Sequence, residues 1–212
     1  MQKLSNELLN CLFDNGKLIQ VKRGDFSLDF DGFAFDFGCN EASQTGILEY
    51  DSMLDFRTWN LPAIKPTKAG MLPSPVAFKS ESDLAVATYQ VGPCLVLVTY
   101  RLGKRALSID IELKNQSSEV LYLNTFSFIL KLKQLENVVF DFPANVPMQH
   151  FEVSKLAPFQ VIETGLINFA THAKTPAGDF NLMFIDLIEK WSTGVYHDGV
   201  CTNFVYCAGL EA

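Results

Sequence analysis

The sequence predicts an all-β protein, built as one large antiparallel β-sandwich with few, short helices. Apolar and polar residues alternate strictly from Leu107 to Leu113, which is the two-residue period of a half-buried strand. Short apolar runs are separated by turn-forming residues along most of the chain. The chain has 212 residues, and sandwiches of this length commonly fold as one domain. We therefore expect a single β-sandwich domain over residues 1–212.

The first predicted element is a short helix over residues 5–13. Ser5 is a suitable N-cap residue, and three leucines at helical spacing, Leu8, Leu9 and Leu12, form an apolar stripe. Asn15-Gly16 follows directly and is predicted to end this helix.

A phenylalanine-rich segment, residues 26–37, predicts the first hairpin. Asp31-Gly32 lies at its centre, and Asp-Gly is a preferred two-residue hairpin loop because a type I′ turn needs positive φ at both positions. This loop would bring six apolar side chains to one face of the sheet: Phe26, Leu28, Phe30, Phe33, Phe35 and Phe37. A slip of one residue would expose all of them, so the register is strongly specified.

Further strands are predicted along the rest of the chain. They cover residues 84–91, 94–101, 107–113, 119–133, 138–142, 159–163, 166–173, 180–188, 194–196 and 202–206. Segment 119–133 changes the face of its apolar residues, so we expect a β-bulge near Asn124-Thr125. Two long connections, residues 60–75 and 143–158, are predicted as loops, and binding usually resides in such loops.

Charge and composition exclude several classes of protein. The chain has 17 basic and 24 acidic side chains, a net charge of −7 and no strong basic cluster, so we expect no nucleic-acid partner. Five cysteines form no C-x-x-C pair and are interpreted as reduced core residues: Cys11, Cys39, Cys94, Cys201 and Cys207. We find no signal peptide and no membrane-spanning apolar stretch, which predicts a cytoplasmic protein without a membrane partner.

The three histidines, His150, His172 and His197, are interpreted as separate polar or loop residues. They lack the short spacing of zinc motifs, so we expect no metal site. His197 also belongs to ordinary turn sequence, residues 196–199. The chain has no glycine-rich phosphate loop, Walker motif or G-x-S-x-G elbow, and we expect no cofactor.

One part of the chain, Val96 to Leu132, resembles a known family. A hairpin containing Tyr100 and Gly103 is followed by the alternating strand 107–113, by the turn 115–119 (NQSSE) and by an aromatic strand. This order is similar to the central part of galactose-mutarotase-like β-supersandwich domains, and it implies a fold of the supersandwich type. Such domains occur as sugar epimerases and as N-terminal domains of glycoside hydrolases and lyases. The resemblance therefore implies a carbohydrate-related function, with this chain as the N-terminal domain of a longer protein.

The catalytic histidine of that family is not found here. In mutarotases the strand after this turn opens with an Asn-His pair, whereas residues 124–128 of this chain read NTFSF. Asn, Thr and Ser do not titrate near neutral pH and cannot replace a catalytic acid. The resemblance therefore implies a member that is not an epimerase and does not catalyse a reaction alone.

Three carboxylates are candidate catalytic groups. Glycoside hydrolysis needs two carboxyl groups about 5–10 Å apart. Glu49, Asp51 and Asp55 are close enough in the sequence to supply them. The same spacing also fits a solvated charge run in which Asp55 pairs with Arg57.

Candidate ligand-binding residues fall into two groups. The first group is Arg57, Trp59 and Asn60, and the second is Trp191, Tyr196 and His197. A sugar ring can stack on an aromatic side chain, and its hydroxyls can bond to Arg and Asn side chains. Both tryptophans also fit partly buried positions in a core.

These observations leave three hypotheses for function. The preferred one is a carbohydrate-related, non-catalytic β-domain that packs on a C-terminal catalytic domain or shapes its substrate cleft. The second is a free-standing sugar-modifying enzyme, a glycosidase or an epimerase, that uses the loop carboxylates with a histidine. The third is a structural module that self-associates through an apolar sheet face.

Overall fold

The protein is an all-β antiparallel sandwich, as the sequence predicts. The computed structural model describes residues 1–41, 74–91, 94–118, 121–142, 149–164, 169–184 and 191–209. Within these ranges every pair of neighbouring strands is antiparallel, and the helical content is one 3₁₀ turn, Val153–Lys155. No helix in the described part of the chain has the length and hydropathy needed to cross a bilayer.

Sixteen strands are described. In chain order they are β1 (Gln2–Ser5), β2 (Asn10–Asp14), β3 (Lys17–Arg23), β4 (Phe26–Glu41), β5 (Ala77–Ser80), β6 (Leu84–Val91), β7 (Cys94–Leu102), β8 (Leu107–Asn115), β9 (Leu121–Leu132), β10 (Val139–Phe142), β11 (Gln149–Glu152), β12 (Ile162–Thr164), β13 (Phe169–Thr175), β14 (Gly178–Phe184), β15 (Trp191–His197) and β16 (Thr202–Gly209). They form an eight-stranded sheet in the order β1-β2-β3-β4-β9-β16-β15-β12. Two four-stranded sheets, β5-β6-β7-β8 and β11-β10-β13-β14, complete the fold.

Both small sheets pack on the same face of the large sheet. Phe33 of β4 and Phe204 of β16 each pair with Leu130 of β9, so their side chains share one face. Phe33 contacts Tyr100 of β7, with ring centroids 5.9 Å apart. Phe204 contacts Phe140 of β10 at 6.0 Å. One apolar core therefore joins eight strands in one layer to four plus four strands in the other.

The predicted helix over residues 5–13 is wrong, because this segment forms the β1–β2 hairpin. The Asn6 side chain accepts hydrogen bonds from the backbone N–H groups of Leu8 and Leu9, both at 2.8 Å, and so builds a turn. Leu4 and Cys11 then face each other in the ladder, both with no exposed surface. The leucine spacing fits a helix as well as this turn, and burial in the sandwich decides between them.

The predicted hairpin at Asp31-Gly32 is also wrong, although the predicted face is confirmed where side chains are described. β4 runs straight through these two residues, and they oppose the single residue Lys131 as a β-bulge with φ of +81° at Gly32. The additional residue in the bulge shifts the side-chain alternation by one position. Phe30 and Phe33 therefore lie on the same face, as they would on either side of a two-residue loop. Leu28, Phe30, Phe33 and Phe35 therefore all lie in the core, each 5% exposed or less.

A type I′ hairpin is found at Asn15-Gly16, where the end of a helix was predicted. Asn15 and Gly16 have φ of +48° and +79° and join β2 to β3. Strands β3 and β5 were not predicted, and residues 149–152 form β11 where a loop was expected.

The bulge expected near Asn124-Thr125 is confirmed. Gly38 pairs with Thr125 and the next residue, Cys39, pairs with Leu123, so Asn124 is the additional residue on β9. The predicted strand 180–188 is a strand over its described part, β14, and its remainder lies outside the described residues. Residues 60–73 of the predicted loop 60–75 and residues 143–148 of the predicted loop 143–158 also lie outside them.

Candidate functional site

The outer face of the β11-β10-β13-β14 sheet carries a row of four polar residues. Phe140 and Ala173 point into the core and are 2% and 0% exposed, so the residues that alternate with them project from the outer face. In the ladder His150 pairs with Asp141, Asp141 pairs with His172, and His172 pairs with Asn181. We call these four residues the polar row.

The carboxylate of Asp141 is the centre of the polar row. Its Oδ1 lies 2.5 Å from Nδ1 of His150, and its Oδ2 lies 3.2 Å from Nδ1 of His172 and 3.0 Å from Nζ of Lys174. Burial raises the pKa of Asp141, but the hydrogen bonds from His150, Lys174 and His172 outweigh it and lower the pKa to about 2. Asp141 is therefore ionised at neutral pH.

The Asp141 carboxylate sets the protonation of the ring nitrogens that face it. An ionised carboxylate only accepts hydrogen bonds, so Nδ1 of His150 must carry the shared proton. In the neutral imidazole Nε2 is then a hydrogen-bond acceptor. The His150 side chain is 64% exposed, so a ligand can reach this acceptor from solvent.

His172 lies between two carboxylates. Its Nδ1 faces Asp141, and its Nε2 lies 3.3 Å from Oδ2 of Asp179. His172 therefore connects the buried carboxylate of Asp141 to an exposed carboxylate at the far edge of the sheet, on β14.

The polar row and its neighbours Lys174 and Asp179 are suited to hydrogen bonding and proton transfer. It presents an acceptor on His150, an exposed amide on Asn181, an ammonium on Lys174 and a carboxylate on Asp179. Across the described ranges, no three His, Cys, Asp or Glu side chains converge as metal ligands.

Comparisons with known proteins add no family to this description. The chain matches no protein-family model, no curated protein and no solved structure.

Six of the residues predicted from the sequence lie outside the described part of the chain. These are the candidate carboxylates Glu49, Asp51 and Asp55 and the candidate binding residues Arg57, Trp59 and Asn60. Their proposed roles stay predictions.

The second predicted group lies on β15, and the side chain of Trp191 is also outside the described part. Tyr196 is 1% exposed, and its ring centroid lies 6.1 Å from that of Phe159. His197 is 5% exposed and points to the opposite side of the sheet, where its Nε2 lies 2.8 Å from the Leu156 carbonyl oxygen. Their role in binding stays a prediction, and it would need access to side chains that are buried here.

The expectation of separate histidines is wrong for His150 and His172, which share the Asp141 carboxylate. Sequence reasoning missed Asp141 altogether, although Asp141 stands between two phenylalanines and so lies on the polar face of its strand. The reduced core interpretation of the cysteines fits Cys11, Cys94 and Cys201, which are buried thiols outside any disulfide.

Proposed function

We propose that this chain is a carbohydrate-binding β-sandwich domain without catalytic activity of its own, and that the polar row is its binding surface. The observation that carries the proposal is the shared carboxylate of Asp141, which orients His150 and His172 on the two strands that flank β10. A site whose side chains are already oriented loses less conformational entropy when a ligand binds.

The chemistry of the polar row and of the adjacent Lys174 and Asp179 favours a neutral ligand with many hydroxyl groups. Hydroxyls can donate to Nε2 of His150 and to the Asp179 carboxylate, and they can accept from the Asn181 amide and the Lys174 ammonium. The cation Lys174 offsets part of the negative charge of Asp141, from which it is 3.0 Å away. No strong field of one sign therefore favours an ion over an uncharged sugar.

The dimensions of the row favour an extended ligand over a single small molecule. Neighbouring strands are about 4.8 Å apart, so four strands span roughly 14 Å. The rigid sheet presents the groups at regular intervals, as an oligosaccharide presents its hydroxyls.

Titration of the full chain with a panel of neutral oligosaccharides, followed by NMR chemical shifts, tests this proposal. We expect shifts at His150, His172 and Asn181, and at least a tenfold weaker affinity in His150→Ala, where the oriented acceptor is lost. Ser108→Ala, on the exposed face of β8 in the other small sheet, is the matched control and should bind normally. If no oligosaccharide in the panel changes these chemical shifts, or if Ser108→Ala weakens the affinity as much as His150→Ala does, the proposal is wrong.

A second function, general acid–base catalysis on a sugar, is favoured by the short contact between Asp141 and His150. A carboxylate that orients an imidazole through Nδ1 leaves Nε2 placed to take a proton from a hydroxyl or a water. Turnover of aryl glycosides or of α-anomeric hexoses that is lost in His150→Asn would establish this enzyme. Binding without turnover leaves the non-catalytic domain as the function.

A further inference from the structure

The other face of the eight-stranded sheet carries two buried polar residues side by side. Lys131 of β9 and Asn203 of β16 are direct partners in the ladder and are 3% and 0% exposed. They share this face with a small apolar cluster formed by Ala34, Ile129, Tyr196 and Val205. Polar groups in such surroundings need hydrogen-bond partners to be stable there.

Lys131 has one acceptor where its ammonium group has three protons to donate. Its Nζ lies 2.5 Å from Oδ2 of Asp198. Oδ1 of Asp198 accepts from the backbone N–H groups of Val200 and Cys201, at 3.1 and 2.8 Å. Within the described ranges no further acceptor faces Nζ, so part of its hydrogen-bonding capacity is unused.

Asn203, in contrast, has an acceptor atom that lacks a donor. Its Nδ2 donates to the carbonyl oxygen of Cys201 at 3.1 Å, but its Oδ1 is fully buried and has no donor. A buried acceptor without a donor is rare in proteins and commonly marks an ordered water or a ligand group.

We propose that Lys131 and Asn203 form an internal binding site for one hydroxyl group, supplied by a water molecule or by a small neutral polyol. A hydroxyl group can supply both the missing acceptor and the missing donor, because it can accept from Nζ of Lys131 while it donates to Oδ1 of Asn203. The Lys131–Asp198 pair carries no net charge, so an ionic ligand gains nothing here that a neutral hydroxyl does not.

This site is separate from the polar row. The polar row lies on the outer face of a small sheet, whereas Lys131 and Asn203 lie on the large sheet, on the face that points away from both small sheets. Failure of carbohydrate binding at His150 would therefore leave this proposal untouched.

Water-to-protein NOE and ROE measurements on the isotope-labelled full chain test the proposal. We expect a cross peak between water and the side-chain amide of Asn203 in both spectra, with opposite signs in the NOE and ROE spectra. This pattern marks a water that stays bound while the protein tumbles. The exposed amide of Asn137, which lies outside both proposed sites, is the matched control and should show none. In added glycerol, a cross peak from glycerol protons would identify an organic hydroxyl as the occupant, and a retained water peak would identify water.

Variants connect the signal to the two residues. The double variant Lys131→Met/Asp198→Asn removes the charge pair together and keeps the Asn203 amide as reporter, and its bound-hydroxyl cross peak should fall to background. Absence of any such peak in the wild-type protein would overturn the proposal without a variant. A peak of unchanged size in the folded double variant would overturn it as well.

Discussion

His150 and Asp141 lie on adjacent antiparallel strands, with Nδ1 of the imidazole 2.5 Å from Oδ1 of the carboxylate. This contact joins an almost buried anion to a ring that is 64% exposed. The buried end fixes the orientation of the ring, and the exposed end offers its remaining nitrogen to solvent. The pair therefore behaves as one preorganised hydrogen-bonding unit, whether it binds a hydroxyl or takes a proton from one.

The first prediction concerns how the stability of the fold depends on pH in the acid range. Because the pKa of Asp141 falls from 3.8 to about 2 on folding, its ionised form contributes stability above pH 4 that is lost as the pH falls towards 2. Asp141→Asn should lower stability at pH 7 and flatten this part of the curve. Urea unfolding between pH 2 and 7 measures both effects. If the curves of stability against pH run parallel for the variant and the wild type, the lowered pKa of Asp141 is contradicted.

The second prediction concerns the buried ion pair. Asp198→Asn leaves the Lys131 ammonium uncompensated inside the sheet, which should cost about 3–5 kcal/mol in the free energy of unfolding. Glu112→Gln removes an exposed pair with Lys114 and is the matched control, with an expected change below about 1 kcal/mol. Urea denaturation of both variants at pH 7 measures the difference, and equal changes would show that burial does not matter here.

The third prediction concerns two glycines with positive φ. Gly16 has φ of +79°, and an added Cβ would lie 2.7 Å from Cγ of Pro75. Gly24 has φ of +58°, and its Cβ would meet nothing within 4 Å. Gly24→Ala should therefore cost only the backbone strain, about 1–2 kcal/mol, and Gly16→Ala should cost clearly more. Thermal unfolding ranks the two, and a smaller loss for Gly16→Ala would contradict the close approach to Pro75.

The fourth prediction tests the second layer of the sandwich. Phe204 is 2% exposed and packs on Phe140 and Phe180, with ring centroids 6.0 and 5.8 Å apart. Phe204→Ala should lower the free energy of unfolding by about 3–5 kcal/mol because it opens a cavity between two sheets. Met183→Ala, on the outer side of β14 and 69% exposed, should change it by less than about 0.5 kcal/mol. Chemical denaturation that finds both variants equally stable would refute this packing.

The sequence predicts the strands better than their connections. Alternation from Leu107 to Leu113 identifies β8, and the change of face in segment 119–133 identifies the bulge at Asn124. Local turn preferences fail at Asp31-Gly32, because a bulge and a hairpin loop need the same residues and give the same alternation. Only the partner strand, β9, distinguishes them, and it is distant in the sequence.

The site was harder to predict than the fold because its residues meet only through strand pairing. Asp141 and His172 are far apart in the chain and become neighbours when β10 pairs with β13. Tyr196 and His197 show the converse, since they are adjacent in the sequence and were grouped as candidate binding residues, but they project to opposite faces of β15. Motif spacing along the chain carries no information about either arrangement.

The long strand β4 has a consequence for biosynthesis. Its first residues pair with β3, but from Phe30 onwards it pairs with β9, and β9 in turn needs β16 on its other side. On the ribosome, the phenylalanines of β4 emerge long before the strands that cover them. Such non-local pairing slows folding and leaves aggregation-prone hydrophobic surface exposed during translation. Production of this protein should therefore depend on chaperones and low temperature more than its modest size suggests.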